Sequence, residues 1–287
     1  MTAARPTFRR PRAAGLVAAP PLLCILLTAL LSGCGDRPST APATPGLPSS
    51  APAPAATLTP TATTPAPGQT RVATTSATVS GIDVSAYQPH LDWARQRRGG
   101  VRFVWIKASE GTTWRSPHHA AQRAGARAAG LYTGSYHYAR PLGSTGAAQA
   151  RALLAAGGGW SADGRTLPGA LDLEENTGDA AGGDPCYGLS PARMLAWIRD
   201  FTTTYRHLTG RDALIYVTAG WWNRCTGADT TLAGSNPLWL YDHDGPAGPL
   251  PSGWTRPTVW QSGVRDGLDR NTFFGTEAQL RAWAVGP

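Results

Sequence analysis

Lysine is almost absent from this chain of 287 residues, which contains Lys107 and 25 arginines. Spacings typical of metal ligands are absent too. The sequence has neither Cys-x-x-Cys nor His-x-x-x-His, and the adjacent His118 and His119 would point apart on a helix. The main apolar run, residues 21–31, is shorter than the roughly 20 residues that a membrane-spanning helix needs. We therefore expect neither a metal ion nor another cofactor, and we treat the single lysine as a candidate site residue.

The formal net charge of the chain is +8. Four arginines lie in an N-terminal segment that has no acidic residues, which leaves the rest of the chain near +4. A mild positive charge of this size favours anionic surfaces such as cell-wall polymers. Because no basic patch of the nucleic-acid-binding kind is visible, we expect no nucleic-acid partner.

Residues 1–33 have the features of an export signal, with arginines near the start and an apolar segment after them. The segment ends in Leu31-Ser32-Gly33-Cys34, which looks like a bacterial lipobox. It predicts cleavage before Cys34, lipidation of the Cys34 thiol and anchoring at the outer face of the cytoplasmic membrane or cell wall. Contact with the membrane would be through the lipid alone. The alternative is an ordinary secretory signal that leaves Cys34 free and releases the protein.

Residues 34–79 consist mainly of proline, alanine, threonine and serine, with few large apolar side chains. Such a composition cannot bury enough surface to offset chain entropy, so it predicts a disordered tether. The remaining segment, 80–287, has 208 residues, which is enough for one domain with a full core. We expect this domain to act as a monomer.

Strand-like and helix-like segments alternate in the first part of this domain. Predicted strands cover 81–84, 103–108, 131–138, 170–174, 213–217, 238–241, 258–261 and a segment around Leu268; predicted helices cover 91–98, 117–129, 146–156, 191–209 and 277–284. Alternation predicts a parallel sheet, and about eight strands predict an α/β barrel of the TIM type whose last part is irregular. In such barrels the chemistry lies at the C-terminal ends of the strands.

The stretch 169–176 places two carboxyl groups two residues apart on the fourth predicted strand. Asp172 and Glu174 would then share one face, roughly 6.5–7 Å apart at their backbones. Since two carboxylates on one face repel, at least one pKa should rise. A protonated carboxyl beside an ionised one is what cleavage of a glycosidic bond requires. The alternative is a strand end with two solvated acids.

Other predicted strand ends carry acidic, aromatic and amide side chains. These candidates are Asp83, Lys107, Glu110, Tyr136, Tyr216, Tyr241, Gln261 and Asp269. Aromatic walls with a few polar groups are typical of a small-molecule site, and here the composition suits a sugar. Each residue alone has a simpler explanation, with the tyrosines as half-buried packing and Lys107–Glu110 as a structural ion pair.

The cysteines divide between the two ends of the chain. Cys24 and Cys34 fall in the signal region, which leaves Cys186 and Cys225 in the domain. Outside the cytoplasm an isolated pair usually forms a disulfide. Closing a loop of about 40 residues would stabilise the domain by roughly 3–4 kcal/mol.

Eight short motifs follow one another through residues 80–287. They are Gly81–Gln88, Asp92-Trp93, Lys107–Gly111, Gly134–Tyr138, Leu171–Glu174, Leu238–Tyr241, Trp260-Gln261 and Gly267–Asn271. Their number and order resemble the glycoside hydrolase family 25 muramidases, the Chalaropsis-type lysozymes. The resemblance implies an irregular eight-stranded barrel with five β/α units, (β/α)5β3. It also implies hydrolysis of the β-1,4 bond between N-acetylmuramic acid and N-acetylglucosamine in peptidoglycan, with retention.

The resemblance further implies roles for four acids. Glu174 would be the general acid/base, and together with the strand spacing this leads us to expect that Glu174 carries the proton of the pair. Asp172 would stabilise the transition state, either by orienting the substrate's 2-acetamido group as an internal nucleophile or by attacking itself. Asp83 and Asp269 match two further acidic positions that hold substrate and tune charge. The sequence departs from the family where Ser262-Gly263 replaces a usual tyrosine, where Leu268 replaces valine and where Arg270 replaces an apolar residue.

Two other functions remain open at the level of the sequence. One is a wall-binding lipoprotein that has the fold without the activity, although the four acids are intact. The other is a barrel glycosidase that acts on another N-acetylated glycan, such as chitin. The partner expected from the resemblance is the glycan strand of peptidoglycan.

Overall fold

The computed structural model describes residues 77–176, 178, 180–242 and 248–286. The predicted signal, the predicted lipidation site Cys34 and the predicted tether up to residue 76 lie outside these residues. The strands are β1 (Thr78–Val84), β2 (Phe103–Glu110), β3 (Trp114–Arg115), β4 (Tyr132–Tyr138), β5 (Ala170–Asp172), β6 (Leu214–Val217), β7 (Leu238–Tyr241), β8 (Val259–Arg265) and β9 (Leu268–Phe274). The helices are α1 (Trp93–Arg98), α2 (His119–Ala128), α3 (Gly146–Ala155), α4 (Pro191–Thr209), α5 (Ala219–Thr226) and α6 (Glu277–Val285).

Eight strands close into a barrel in the order β1, β2, β4, β5, β6, β7, β8, β9. Neighbouring strands are parallel, except that β9 runs antiparallel to both β8 and β1. The short β3 pairs with the end of β2. A helix follows each of the first five barrel strands, and none is described between β7, β8 and β9. The predicted (β/α)5β3 barrel is confirmed.

The first barrel strand begins earlier than the sequence pattern indicates. β1 starts at Thr78, two residues inside the predicted tether. Val79 is buried and pairs with Phe273 on β9, so these residues already belong to the core.

The period of two along each strand decides which side chains enter the barrel. On β2, Phe103 and Trp105 pack in the interior cluster, whereas Val104 and Ile106 pack in the outer layer. The next inward position on β2 is Lys107, at the C-terminal end of the interior. The same alternation on the other strands brings polar side chains to one rim above an apolar floor.

Two glycines make room for the aromatic floor of the barrel. A Cβ atom at Gly81 would lie 2.1 Å from the ring of Phe103, and one at Gly134 would lie 2.1 Å from the indole nitrogen of Trp105. The Trp105 Nε1–H donates a hydrogen bond to the Pro168 carbonyl at 3.0 Å, so the indole cannot move aside without losing it. These positions therefore require glycine for close approach and not for a turn.

The helices mostly follow the sequence pattern. α4 has proline at its first position and ends at Gly210 in the left-handed conformation. Its apolar side chains Met194, Ile198, Phe201 and Tyr205 are buried, whereas Leu208 near its end is 46% exposed. α5 was not predicted, because it has eight residues and most of them, namely glycine, two tryptophans, asparagine, cysteine and threonine, are weak helix formers. Within the described part of the chain, no helix is both long and apolar enough to cross a membrane.

Candidate active site

A cleft of about 660 Å³ opens at the C-terminal ends of the barrel strands, and we call it the barrel cleft. The described residues that line it are Asp83, Ser85, Tyr87, Lys107, Tyr136, Tyr138, Asp172, Leu173, Glu174, Glu175, Tyr216, Thr218, Trp221, Trp239, Tyr241, Gln261 and Asp269. The four acids predicted for catalysis are all among them. So are the predicted substrate-binding residues apart from Glu110.

The two carboxyl groups of the fourth predicted strand meet in this cleft. Ala170 on β5 packs in the barrel interior and Leu171 packs against the outer helices, so Asp172 faces inward. The regular strand ends at Asp172, yet Glu174 still lines the same cleft. Asp172 is 5% exposed, whereas Glu174 stands at the exposed rim. A hydrogen bond joins the two carboxyls.

Burial raises the pKa of both acids in this pair. The pKa of Asp172 lies well above its ordinary value, first because of burial and then because of the charge of Glu174, and the ammonium of Lys107 opposes the shift. Burial also raises the pKa of Glu174, although its hydrogen bond with Asp172, the charge of Lys107 and a hydrogen bond with Tyr138 lower it. Because both pKa values are raised, the pair retains a proton to higher pH than two free carboxyls would. The expectation that Glu174 carries this proton stays a prediction.

Asp83 lies at the end of β1 and is 7% exposed. Its Oδ2 accepts hydrogen bonds from Gln261 Nε2 and from Asn271 Nδ2, both at 2.7 Å. Burial raises the pKa of Asp83 to about 7, and the charges of Asp269 and Glu174 add to this while the two amide hydrogen bonds oppose it. Asp83 is therefore a third acid of the cleft that titrates near neutrality.

The two amides beside Asp83 are held in one orientation. The Tyr216 hydroxyl donates to Gln261 Oε1 at 2.8 Å, and the Trp239 Nε1–H donates to Asn271 Oδ1 at 2.8 Å. Each amide oxygen thus accepts a hydrogen bond on the side away from Asp83, so each NH₂ group points at Asp83. Because both bonds end on Oδ2, neither amide occupies the other carboxyl oxygen of Asp83.

Lys107 and Glu110 form an ion pair at the edge of the cleft. The Lys107 Nζ lies 2.6 Å from Glu110 Oε2 and 4.4 Å from the centre of the Tyr138 ring. Glu110 also accepts two hydrogen bonds from Arg140, at 2.9 and 2.7 Å. Burial alone would raise the pKa of Glu110, but the hydrogen bonds from Lys107 and Arg140 lower it. Glu110 therefore positions the lysine, and it is Lys107 that reaches the cleft.

Aromatic rings form much of the wall. Trp239 is buried at the centre, with Tyr136 and Tyr216 edge-on to it at 6.3 and 4.9 Å between ring centres. Tyr241 lies 6.1 Å from Tyr216 and is partly exposed. The three tyrosines predicted to bind substrate thus line one cleft, and their role there stays a prediction.

Several lining residues were not predicted as site residues. They are Ser85, Tyr87, Tyr138, Leu173, Glu175, Thr218, Trp221 and Trp239. Tyr138 and Trp239 lie two residues from Tyr136 and Tyr241 on the same strands, so strand alternation applied to both sides of each candidate finds them. Trp221 lies on α5, which the sequence pattern does not indicate.

The predicted disulfide between Cys186 and Cys225 is present. It joins the loop after β5 to α5, and the Trp221 indole on the same helix donates to the Pro185 carbonyl at 3.2 Å. These two links hold Trp221 against the cleft. Among the described residues, no group of three or more histidine, cysteine, aspartate or glutamate side chains is arranged to hold a metal ion.

Cleavage of a glycosidic bond needs a proton for the leaving oxygen and negative charge beside the sugar carbon that becomes positive. The Asp172–Glu174 pair has the groups to provide both, at the end of the barrel where enzymes of this fold carry out their chemistry. Aromatic walls and a nearby cation complete a site that suits a sugar ring. The class that this fold and site define is that of the glycoside hydrolases.

Comparison with known proteins makes the assignment specific. Residues 82–264 match the sequence model of Glycosyl hydrolases family 25, and the chain belongs to this family. It is 46% identical over 215 residues to the N,O-diacetylmuramidase of a Chalaropsis species, and the aligned region covers 73% of this chain and 100% of that protein. It is 43% identical over 213 residues to Lysozyme M1 of Streptomyces globisporus, with 72% and 71% of the two chains covered. A family GH25 lysozyme structure from Aspergillus fumigatus aligns with a TM-score of 0.69 at 43% identity, covering 73% of this chain and 100% of the other. The resemblance noted from the motifs is confirmed.

Proposed function

We propose that the protein is a muramidase in which Asp172 and Glu174 carry the reaction. It hydrolyses the β-1,4 bond between N-acetylmuramic acid and N-acetylglucosamine in peptidoglycan, with retention. Family membership and the muramidase names of its relatives support the activity. The single observation that carries the division of roles is the hydrogen-bonded carboxyl pair, one member buried and the other at the rim.

Glu174 is the general acid and then the general base. Its exposed position at the rim lets it reach the glycosidic oxygen, and its raised pKa keeps a proton available to the pair. The leaving sugar takes that proton as the bond breaks. In the second step, Glu174 takes a proton from the attacking water and so returns to its starting state.

Asp172 orients the 2-acetamido group of the substrate, whose carbonyl oxygen attacks the sugar carbon. Asp172 Oδ1 is buried and has no hydrogen-bond partner among the described residues. A buried acceptor of this kind is costly unless a substrate donor meets it, and the acetamido N–H is such a donor. Attack by Asp172 itself, with formation of a covalent glycosyl-enzyme intermediate, is the alternative.

The remaining charged groups set the electrostatics of the cleft. Lys107 lowers the pKa of both members of the pair, and Glu110 fixes the lysine in place. Asp83 presents one oxygen to the substrate from its amide cradle, and Asp269 raises the pKa of Asp83 through its charge.

Product analysis tests the activity. Purified peptidoglycan should yield fragments with reducing N-acetylmuramic acid ends, and chitin oligomers should remain intact. Turnover of chitin alone would support a different glycosidase. No turnover of either substrate, together with binding to walls, would support the inactive wall-binding alternative.

The role of Asp172 has its own test. A stable thiazoline analogue of the cyclised acetamido intermediate should inhibit the enzyme competitively. Asp172→Asn and Glu174→Gln should each lower kcat severely, and the double variant should lose little more, because both residues serve one transition state. Isolation of a sugar covalently attached to Asp172 would instead establish the direct attack.

Export and anchoring form a separate proposal that the lipobox-like sequence supports. The protein would be held at the outer face of the cytoplasmic membrane or cell wall by lipid on Cys34, and would work there as a monomer on glycan strands. It should partition into detergent, and Cys34→Ala should release it or block maturation. Wild-type protein that is free in the medium with an unmodified residue 34 would rule out the anchor.

A further inference from the structure

A second cleft of about 590 Å³ lies beside the barrel cleft, and we call it the side cleft. The loop after β1 and helix α1 form one wall, and the hairpin of β8 and β9 forms the other. Tyr87 lines both clefts. On β9, Asp269 lines the barrel cleft while its neighbour Arg270 lines the side cleft, so one strand separates the two. A ligand in the barrel cleft can therefore extend into the side cleft past Tyr87.

The side cleft is basic. Arg95, Arg265 and Arg270 line it, together with the single acid Asp266. Arg270 is engaged, because its guanidinium donates to the Arg265 carbonyl at 3.2 and 3.1 Å and lies 3.3 Å from Asp266. The side chains of Arg95 and Arg265 are exposed, and no hydrogen bond or ion pair is found for them among the described residues. Two planar guanidinium groups are thus available to a carboxylate, for which their geometry is suited.

The walls of this cleft are held in place. Gln122 is buried, and its Nε2 donates to the carbonyls of Ser85 and Gln88 at 2.8 and 2.9 Å. The backbone N–H of Ser85 in turn donates to Gln88 Oε1 at 2.9 Å. Tyr87 sits within this fixed loop and is nevertheless 91% exposed. A ring displayed on an ordered loop costs little entropy to engage, so it is prepared for a ligand that crosses it.

We propose that the side cleft binds the peptide branch of the muramic acid residue whose sugar occupies the barrel cleft. Arg95 and Arg265 pair with carboxylates of that branch, and Tyr87 packs against it at the passage between the clefts. The inference rests on the proposed muramidase function, since a chitin strand carries no such branch. The two clefts meet at Tyr87, so a branch attached to the bound sugar can pass directly from one cleft to the other. An independent wall polymer would not require the two clefts to be joined.

Binding measurements on the full chain test this proposal without relying on turnover. The Glu174→Gln protein is titrated calorimetrically with two soluble glycan fragments of equal length, one bearing peptide branches and one stripped of them. Adding Arg95→Gln and Arg265→Gln should weaken binding of the branched fragment by about three- to ten-fold, as expected for two partly exposed charge contacts. Binding of the stripped fragment should be unchanged.

The matched control is the pair Arg224→Gln and Arg281→Gln in the same Glu174→Gln protein. Both arginines are exposed on helices and line neither cleft, and the net charge changes by the same amount. Equal weakening by this pair would show long-range attraction and overturn the proposal. Equal weakening of both fragments by the side-cleft pair, or of neither, would overturn it as well.

A third probe separates peptide carboxylates from phosphate. If the side-cleft pair weakens binding only to fragments that carry phosphodiester polymer, the ligand is phosphate and the proposal is wrong. Failure of the muramidase assignment has a different signature, because the wild-type enzyme would then release no reducing N-acetylmuramic acid. The titrations measure whether the side cleft binds the peptide branch, and they do so whether or not the wild-type enzyme shows muramidase activity.

Discussion

Replacing Asp83 with asparagine should stabilise the protein at neutral and alkaline pH, although the same change damages the site. Asp83 is 7% exposed, and its raised pKa shows that the fold disfavours its charge. An asparagine oxygen in the place of Oδ2 can still accept the hydrogen bonds of Gln261 and Asn271. The substitution therefore removes the buried charge and keeps the local contacts.

The magnitude follows from the shift in pKa. Asp83 titrates at about 7 in the folded protein, against 3.8 for an unperturbed aspartate. Between these values the unfolded chain has released a proton that the folded protein still binds, so the free energy of unfolding falls as pH rises. A gap of roughly three units corresponds to about 4 kcal/mol at about 1.36 kcal/mol per unit. This loss is absent below the unfolded pKa and complete above about pH 7.

Urea denaturation of the wild type and of Asp83→Asn from pH 4 to pH 8 measures this difference. The stability advantage of the variant should grow across the window by about 4 kcal/mol and then level off. The exposed Asp266→Asn is the control, with a change of about 0.5 kcal/mol or less at each pH. A constant difference between wild type and Asp83→Asn, or one that shrinks as pH rises, would refute the electrostatic argument.

Three further outcomes are expected. Glu174→Gln should lower kcat by about 10²–10⁴ while substrate still binds, which single-turnover kinetics and calorimetry check together. Alkylation without reductant should leave Cys186 and Cys225 unlabelled, and replacing both with alanine should lower the free energy of unfolding by about 3–4 kcal/mol in denaturant titrations. Gly134→Ala should cost about 1–3 kcal/mol in the same assay, because its methyl group would collide with the Trp105 indole; an unchanged midpoint would contradict the packing described.

Much of the barrel could be predicted because a parallel strand has a simple signature. The short apolar runs of β2 and β6 carry polar or aromatic residues near the end, and the period of two assigns each side chain to a face. That rule brought the predicted acids and tyrosines to one rim. It fails for α5, where tertiary contacts such as the Cys186–Cys225 bond compensate for weak helix propensity.

The acidity of the site could not be predicted in the same way. Spacing shows that Asp172 and Glu174 share a face, but it does not show depth, and burial is the largest cause of the raised pKa of both carboxyls. The raised pKa of Asp83 is harder still to predict from the sequence, because its two amide partners lie 178 and 188 residues further along the chain. Closure of the barrel by β8 and β9 brings them to β1, and that closure also buries the carboxyl and raises its pKa. Local spacing therefore indicates which groups meet, whereas their protonation depends on contacts that form only once the barrel has closed.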